Sequence, residues 1–196
     1  MITRILEEFT QEYEIIKEDM DRGTRMYKIR GVMGRANYPN KNRRVYPLDI
    51  MQESVNAVQE SILNNRFLGE IDHPNSQKIN MDKVSHKITS LAMDEAGVVL
   101  GEMIPAGPNK DKLISLIEDK IGFGVSTRGS GTVRPYNGPL GEGLEEVVRG
   151  YSLCAIDIVH NPSANAFPNV VKEDTQKFFT VPTNFKEIWN EVFKVK

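Results

Sequence analysis

The sequence predicts an α+β fold that is mainly β. Several short segments alternate apolar and polar residues over the length of a strand, and two segments between them show helical spacing. Strands and helices do not alternate regularly, so a doubly wound parallel sheet is not expected. With 196 residues, of which 39% are hydrophobic, the chain fits one domain with a sizeable core and short arms.

The first third of the chain is predicted to contain an arm, a strand, a loop and a helix. Residues 2–18 place apolar residues at roughly helical spacing among glutamates, which predicts a short amphipathic arm. Residues 26–33 have the composition of a strand, and the polar segment 34–47 is expected to be a loop. Residues 48–63 carry apolar side chains at helical intervals directly after Pro47, so a helix is expected there.

The remaining elements are predicted to be mostly strands. Residues 84–93 and 97–104 are expected to pair as antiparallel strands across a short turn. Residues 111–121 have the spacing of a second helix, and the glycine-rich segment 122–131 is expected to be a loop. A long β-rich run covers residues 145–159. The aromatic tail beyond it is expected to dock as an arm or a short helix.

Composition excludes several classes of protein. The chain has 25 Lys and Arg against 27 Asp and Glu, a net charge of −2, so a basic nucleic-acid surface is not expected. The single cysteine, Cys154, excludes an internal disulfide. There is no apolar run of roughly 18 residues and no leader pattern at the N-terminus. We therefore expect a soluble protein that stays in the cytoplasm and has no membrane partner.

Only three histidines are available as a catalytic base or a metal ligand. His73 lies between Asp72 and Pro74, where the proline fixes the turn. Two interpretations of His73 remain open, a catalytic base and a polar turn residue. His86 lies in the middle of a predicted strand, which favours a structural role. His160 follows the last β-rich run, which favours an exposed turn residue.

Ser126 is the candidate nucleophile. It lies in the glycine-rich segment 124–129 (GVSTRG), where neighbouring glycines allow close backbone approach and leave amide donors uncovered. The segment is not a hydrolase nucleophile elbow, because Arg128 stands where that motif has glycine. It also lacks the spacing and the lysine of a P-loop. From these residues alone, a catalytic serine and an ordinary loop serine both remain open.

Metal and glycosidase chemistry have weaker support. Glu70, Asp72 and His73 could supply ligands, but no second cluster of His or Cys has recognisable spacing. The 27 acidic residues leave a glycosidase carboxylate pair open, and nothing in the sequence points to one. We therefore expect no metal and no cofactor.

Four segments carry short motifs in a defined order. They are 42–47 (NRRVYP), 69–74 (GEIDHP), 124–129 (GVSTRG) and 157–164 (DIVHNPSA). They resemble the patterns Asn-x-Arg-x-Tyr-Pro, Gly-Glu-x-Asn/Asp-His-Pro, Gly-Val-Ser-Ser-Arg-Gly and Asp-x-Val-x-x-Pro-Ser-Ala of the prohead core protein proteases of large contractile-tailed bacteriophages. Each motif is modest alone, whereas four in order, covering roughly residues 30–168, are specific.

The resemblance implies a herpesvirus-protease-like fold, with a β-barrel-like sheet core and flanking helices. It implies a serine endopeptidase that acts inside the assembling prohead in the host cytoplasm. Its substrates and partners would be phage scaffold or core proteins and the major capsid protein. By position, His73 matches the base of the family and Ser126 its nucleophile, with Thr127 replacing the second serine of the family motif.

The third catalytic residue has two candidates. Asp157 matches an acidic position of the last motif, where a carboxylate would orient the imidazole. The herpesvirus relatives use a second histidine, which keeps His160 as the alternative. In an extended strand these two residues point to opposite faces, so only one of them can serve, and Asp157 is favoured. Arg128, through its side chain or its backbone amide, is a candidate for binding the oxyanion by analogy with the herpesvirus enzymes.

Arms are expected on both sides of the motif region, and the resemblance implies a cleavage preference. The expected parts are an N-terminal arm (1–22), a protease domain (23–171) and a C-terminal arm (172–196). Cutting after Glu in an apolar-x-Glu context would allow self-processing.

Matching strings occur at residues 5–7, 6–8, 16–18 and 68–70. A non-enzymatic prohead component with a protease-like fold is the alternative function, and the sequence leaves a homo-oligomer open.

Overall fold

The computed structural model describes residues 3–9, 13–19, 25–40, 42–74, 76–148, 150–160 and 185–194. The part of the last motif beyond residue 160 and the predicted domain boundaries at residues 22 and 171 lie outside these ranges. Within the described residues, no helix is both long and apolar enough to cross a membrane.

The fold contains many strands and four α-helices within the described residues. The strands are β1 (Thr3–Phe9), β2 (Tyr13–Asp19), β3 (Arg25–Arg35), β4 (Arg44–Val45), β5 (Leu68–Glu70), β6 (Val84–Met93), β7 (Val98–Pro105), β8 (Gly124–Gly131), β9 (Val133–Pro135), β10 (Glu145–Val147) and β11 (Ser152–Val159). The helices are α1 (Leu48–Ala57), α2 (Gln59–Leu63), α3 (Lys110–Glu118) and α4 (Phe185–Phe193), and a 3₁₀ turn covers Met81–Lys83.

The strands form three sheets. The largest has the order β2-β3-β7-β6-β5, and all its neighbours are antiparallel. A second sheet has the order β1-β8-β11 and is also antiparallel, and a small sheet joins β4, β10 and β9. A parallel bridge between Ile71 and Ile158 links the end of β5 to β11. The expected mainly β fold with flanking helices is confirmed, although the sheets do not close into a barrel among the described residues.

One apolar core joins the two larger sheets and the helices α1, α2 and α3. Helix α1 has apolar residues three to four positions apart, so Ile50, Met51 and Val55 share one buried face. They pack in the same cluster as Ile29 and Met103 of the large sheet. Val125, Ile156 and Ile158 of the second sheet belong to this cluster too. The second sheet is therefore fixed against the first by shared packing as well as by the bridge.

Helix α4 forms a separate contact on the large sheet. Trp189 is buried against Val32 of β3 and Leu100 of β7 in a small second cluster. The guanidinium of Arg30 lies over the Trp189 ring, 4.8 Å from its centroid, as in a cation–π contact. The aromatic tail thus provides a short helix that covers apolar side chains of β3 and β7.

The apolar spacing of residues 2–18 indicates a helical conformation, and this interpretation is wrong. Residues Thr3–Phe9 form β1 along β8, and Tyr13–Asp19 form β2 along β3. Pairing with an existing strand satisfies the backbone hydrogen bonds of both segments, and this tertiary gain outweighs a weak helical pattern.

The loop expected at residues 122–131 is also wrong, because Gly124–Gly131 is β8, the central strand of the second sheet. Gly129 of this strand allows close packing and does not form a turn. A Cβ at Gly129 would lie 2.6 Å from the Tyr151 ring and 2.7 Å from the carbonyl oxygen of Ser152.

Several other predictions are confirmed with shifted boundaries. The expected strand pair is β6 and β7, which are antiparallel. The first expected helix is interrupted at Val58, where α1 gives way to α2. The β-rich run from residue 145 to 159 divides into β10 and β11. The expected loop at residues 34–47 contains the two-residue strand β4.

Gly69 has a packing requirement that the sequence does not reveal. A Cβ at this position would lie 2.0 Å from the carbonyl oxygen of Ile156 and 2.1 Å from Nε2 of His86. Strand β5 can therefore approach β11 and β6 this closely only with glycine at position 69.

We predict that Gly69→Ala lowers the free energy of unfolding by at least about 2 kcal/mol, because the new methyl group displaces β5 from backbone that cannot yield. This loss corresponds to a fall of roughly 4 to 8 °C in the melting temperature. Thermal unfolding followed by circular dichroism measures it. Gly122→Ala is the matched control, since a Cβ there meets nothing within 4 Å. Equal melting temperatures for the two variants would contradict the packing argument.

Candidate active site

Three elements bring the predicted catalytic residues together. Ser126 lies on β8 and Asp157 on β11, and the two residues are directly paired in the antiparallel register. His73 follows β5, whose end is fixed to β11 by the bridge between Ile71 and Ile158. The amide of Asp72 adds a hydrogen bond to the carbonyl oxygen of Ile158, at 2.7 Å.

A β-bulge in β11 decides which residue faces Ser126. Leu153 pairs with Gly129, but the next pair is Ala155 with Arg128, so Cys154 is the extra residue. Without this shift, Ile156 would stand opposite Ser126. A slip of one residue moves every following side chain to the other face of the sheet. The bulge therefore places a carboxylate, and not an apolar side chain, beside the serine.

A left-handed residue shapes the turn that carries His73. Asp72 has φ of +63°, a conformation that asparagine and aspartate adopt more readily than other non-glycine residues. The chain turns here from β5 towards the second sheet, and the fixed φ of Pro74 restricts the next step. This requirement gives a physical reason for an aspartate directly before the histidine.

His73 connects Asp157 and Ser126 by hydrogen bonds. Its Nδ1 lies 2.9 Å from Oδ2 of Asp157, and its Nε2 is hydrogen-bonded to Oγ of Ser126. A carboxylate can only accept, so Nδ1 carries the proton, and Nε2 accepts from the serine hydroxyl. The Asp157 side chain is fully buried, whereas 12% of the His73 side chain is exposed. The arrangement is that of a serine nucleophile, its base and a carboxylate that orients the base.

Arg128 is the buried cation of the site. Its Nε donates to Oδ2 of Asp157 at 2.8 Å, and its Nη2 donates to Oδ1 of the same carboxylate at 3.1 Å. Nη2 also lies 3.2 Å from Oε1 of Glu70, and Nη1 donates to the carbonyl oxygen of Ser76 at 2.7 Å. The side chains of Arg128, Glu70 and Asp157 are all completely buried. The bidentate contact fixes both the position and the plane of the Asp157 carboxylate.

Glu70 completes the anchorage of the same carboxylate. Its backbone amide donates to Oδ1 of Asp157 at 3.0 Å, while its own Oε1 accepts from the amide of Asn80 at 3.0 Å. Glu70 therefore holds Asp157 through its backbone and Arg128 through its side chain.

The surroundings of Asp157 keep it ionised. Burial alone would raise the pKa of this carboxyl group, but the hydrogen bonds from His73 and Arg128, the charge of Arg128 and the amide of Glu70 together lower the pKa below its usual range. A group with a lowered pKa in the folded state stabilises the fold above its unfolded pKa of about 3.9, and that contribution disappears as the pH falls. At neutral pH, Asp157 is a fixed negative charge next to His73.

The other two histidines lie outside this set of contacts. His86 is fully buried, with Nε2 donating to the carbonyl oxygen of Ile156 at 2.8 Å and Nδ1 2.9 Å from Oγ of Ser85. Burial lowers its pKa, so it is a neutral structural residue. His160 is exposed just after β11, and Asp157 is the residue bonded to His73.

Of Glu70, Asp72 and His73, which could have supplied metal ligands, Glu70 and His73 have other partners in the structure. Across the part of the chain that the structure describes, no group of three His, Cys, Asp or Glu side chains could hold a metal ion. Glu70 is bound to Arg128 instead, and His73 contacts Asp157 and Ser126.

The role of Glu70 as an anchor and the position of β1 beside β8 were not predicted. The sequence did contain a signal for the role of Glu70. A glutamate beside the histidine turn needs a cation when it is buried, and Arg128 in the serine motif is such a cation. The sequence contained no comparable signal for the pairing of β1 with β8, because apolar spacing does not show how segments far apart in the chain pair.

Comparisons with known proteins show which family and which proteins the chain is similar to. A model of the prohead core protein serine protease family matches residues 11–176. The chain is 32% identical over 146 residues to the prohead core protein protease of Enterobacteria phage T4, and the match covers 69% of this chain and 64% of that protein. The chain thus spans less than two thirds of the length of this relative. It is also similar to a solved structure of the bacteriophage T4 capsid assembly protease, with a TM-score of 0.72 and 27% identity, over 81% of this chain and 98% of that chain.

We predict that Arg128→Met lowers the free energy of unfolding at pH 7 by about 3 to 5 kcal/mol, because it leaves two buried carboxylates without their cation. Desolvation would then raise the pKa of Asp157, and the folded state would gain protons as the pH falls from 7 towards 4. The cost of the substitution should therefore shrink over this range. Urea unfolding at several pH values measures it.

Arg134→Met is the matched control for this prediction. Arg134 also pairs with a glutamate, Glu146, but 66% of its side chain is exposed. Removing such a surface pair costs at most about 1 kcal/mol. An Arg128→Met cost no larger than that of Arg134→Met, or one that does not shrink at lower pH, would contradict the anchoring role.

Proposed function

Because the chain belongs to the prohead core protein serine protease family, we propose that it is a serine endopeptidase that cleaves phage core and capsid proteins during prohead maturation. The observation that carries this proposal is the continuous set of hydrogen bonds from Asp157 through His73 to Ser126. The names printed for the T4 protein and for the T4 structure, a prohead core protein protease and a capsid assembly protease, support the same assignment.

The residues have distinct roles in the proposed reaction. Nε2 of His73 takes the proton of the Ser126 hydroxyl as Oγ attacks the carbonyl carbon of the scissile bond. His73 then gives this proton to the leaving amine, which leaves an ester between the acyl group and Ser126. Water hydrolyses the ester with His73 again acting as base. The Asp157 carboxylate orients His73 and stabilises the imidazolium that forms in each step.

Arg128 acts in this proposal as a positioning residue. Its guanidinium is bound to Asp157 and Glu70, so the side chain fixes the orienting carboxylate. We assign the contact with the oxyanion, for which Arg128 was a candidate, to its backbone amide and not to its guanidinium. Preorganised donors of this kind stabilise the charge of the tetrahedral intermediate.

The family resemblance supplies the proposed specificity. Cleavage after Glu in an apolar-x-Glu context would select sites in scaffold and capsid proteins and would also permit self-processing near the N-terminus. The site of action would be the interior of the prohead, assembled in the host cytoplasm. The alternative of a non-enzymatic prohead component does not require a serine, a histidine and a carboxylate within hydrogen-bonding distance, and this geometry favours the enzyme.

We predict that Ser126→Ala and His73→Ala each reduce kcat/KM by at least about 1,000-fold, since removal of one member disables the whole triad. Asp157→Asn should cause a large loss as well, because the amide favours the wrong tautomer of His73. Cleavage of a fluorogenic peptide with a Leu-x-Glu sequence and of co-expressed phage core and capsid proteins measures the effect.

The control is His160→Ala, which removes the alternative candidate for the third member from an exposed position. This variant should keep the activity of the wild type. Circular dichroism and melting temperature establish that each variant is folded. Substantial activity in folded Ser126→Ala or His73→Ala, or a loss confined to His160→Ala, would contradict the assignment.

A further inference from the structure

Both hydrogen bonds to the side chain of Glu70 go to the same oxygen atom. The amide of Asn80 and Nη2 of Arg128 donate to Oε1, at 3.0 Å and 3.2 Å. The other oxygen, Oε2, is buried and has no hydrogen-bond partner within the described residues, an arrangement that costs free energy. The amide oxygen of a glutamine would accept both bonds equally well. Hydrogen bonding alone therefore does not explain why this residue is a carboxylate.

Arg128 and His73 share one oxygen of Asp157. Oδ2 of Asp157 accepts from Nε of Arg128 at 2.8 Å and from Nδ1 of His73 at 2.9 Å. The guanidinium thus lies within about 6 Å of the imidazole, a distance at which one positive charge disfavours another. The pair of Asp157 and Arg128 is neutral as a unit, so on its own it would do little to stabilise an imidazolium.

The carboxylate of Glu70 changes this charge balance. The side chains of Glu70, Arg128 and Asp157 are completely buried and joined by ion pairs, so solvent and salt screen their charges only weakly. Two anions and one cation give this buried cluster a net charge of −1. When His73 takes the serine proton, the cluster and the imidazolium together become neutral. Without the charge of Glu70, the same proton transfer would leave a net positive charge in the site.

The other ionisable groups around the site do not supply the missing negative charge. His86 on β6 is completely buried, and burial lowers its pKa, so it is neutral. Asp72 and Lys78 lie on the segment that follows β5, are exposed and carry opposite charges. Charges in solvent act weakly because water and salt screen them. Among the described residues that face the imidazole, the buried cluster therefore sets the local charge.

We propose that Glu70 is a positioning residue of the reaction, whose negative charge offsets that of Arg128 and so leaves the charge of Asp157 available to the His73 imidazolium. Glu70 acts through Arg128 and Asp157 and touches neither the substrate nor the reacting atoms. This inference rests on the proposed protease function.

The first test separates the charge of Glu70 from its shape. Glu70→Gln keeps the shape and an acceptor oxygen but removes the charge, whereas Glu70→Asp keeps the charge and shortens the side chain. The measurement is kcat/KM of the full chain for p-nitrophenyl acetate, a small activated ester, as a function of pH. The acid limb of this profile reports protonation of the base in the free enzyme.

We expect Glu70→Gln to move the acid limb to lower pH by about one pH unit, because the imidazolium loses a nearby buried anion. The plateau above this limb should fall by about 3- to 10-fold, since a weaker base takes the serine proton less readily. Glu70→Asp should keep the acid limb of the wild type, even where it lowers the melting temperature. An unchanged limb in Glu70→Gln, or equal limbs in the two variants, would overturn the inference.

Glu102→Gln is the matched control for the loss of one charge. Glu102 is also bound to an arginine, Arg30, at 2.7 Å, and only 14% of its side chain is exposed. It lies on β7 of the large sheet, outside the buried cluster. Its substitution should leave the pH profile unchanged. A shift equal to that of Glu70→Gln would show a general effect of net charge and would overturn the inference.

A double variant keeps the inference testable where circular dichroism shows that Glu70→Gln does not fold. Glu70→Gln/Arg128→Gln removes both partners of one buried ion pair, which costs less than leaving one charge alone. Asp157 then gives the site the same net charge of −1 as in the wild type. We expect an acid limb no lower than that of the wild type. A limb about one pH unit lower would overturn the inference, because the net charge of the cluster would then not control His73.

Nitrogen NMR of the histidine rings follows the protonation of His73 without any hydrolysis. His73 should gain its proton at lower pH in Ser126→Ala/Glu70→Gln than in Ser126→Ala, whereas the exposed His160 should titrate equally in both proteins. Ester hydrolysis that does not depend on Ser126 rejects the proposed protease, and the NMR comparison then still decides the effect of Glu70. Ser126-dependent hydrolysis with no shift in either measurement keeps the protease and rejects the inference.

Discussion

The buried guanidinium of Arg128 is the constraint on which the site depends. It joins the carboxylates of Asp157 and Glu70 in a region where all three side chains are removed from solvent. Neither carboxylate would be stable there as an anion without a cation and several donors. Because Arg128 is two residues from Ser126 on the same strand, the proposed nucleophile and the cation that anchors Asp157 are placed by one element.

The backbone around this ion cluster is adapted at three points. The bulge at Cys154 turns Asp157 towards the serine face of the sheet, and Gly69 lets β5 approach β11. The left-handed conformation of Asp72 then directs His73 to a position between Asp157 and Ser126. Each feature is local, but their combined result is one chain of hydrogen bonds from Glu70 to Ser126.

The sequence predicts the chemistry of the site better than its architecture. With only three histidines there were few candidates for the proposed base, and the order of the motifs indicated Ser126 and Asp157. The glycine-rich segment gave the wrong structure because glycine signals both turns and close packing, and only the contact of Gly129 with Tyr151 distinguishes them. The bulge and the β1 ladder could not be predicted, since strand register depends on pairing between segments far apart in the chain.

The central claim is that Ser126 is a nucleophile activated by His73. A fluorophosphonate reagent, which forms a stable adduct only with an activated serine, tests it most directly when the protein is labelled and its peptides are analysed by mass spectrometry. We expect a single adduct on Ser126 that is absent after His73→Ala. An adduct on another serine, or equal labelling of Ser126 with and without His73, would contradict the account.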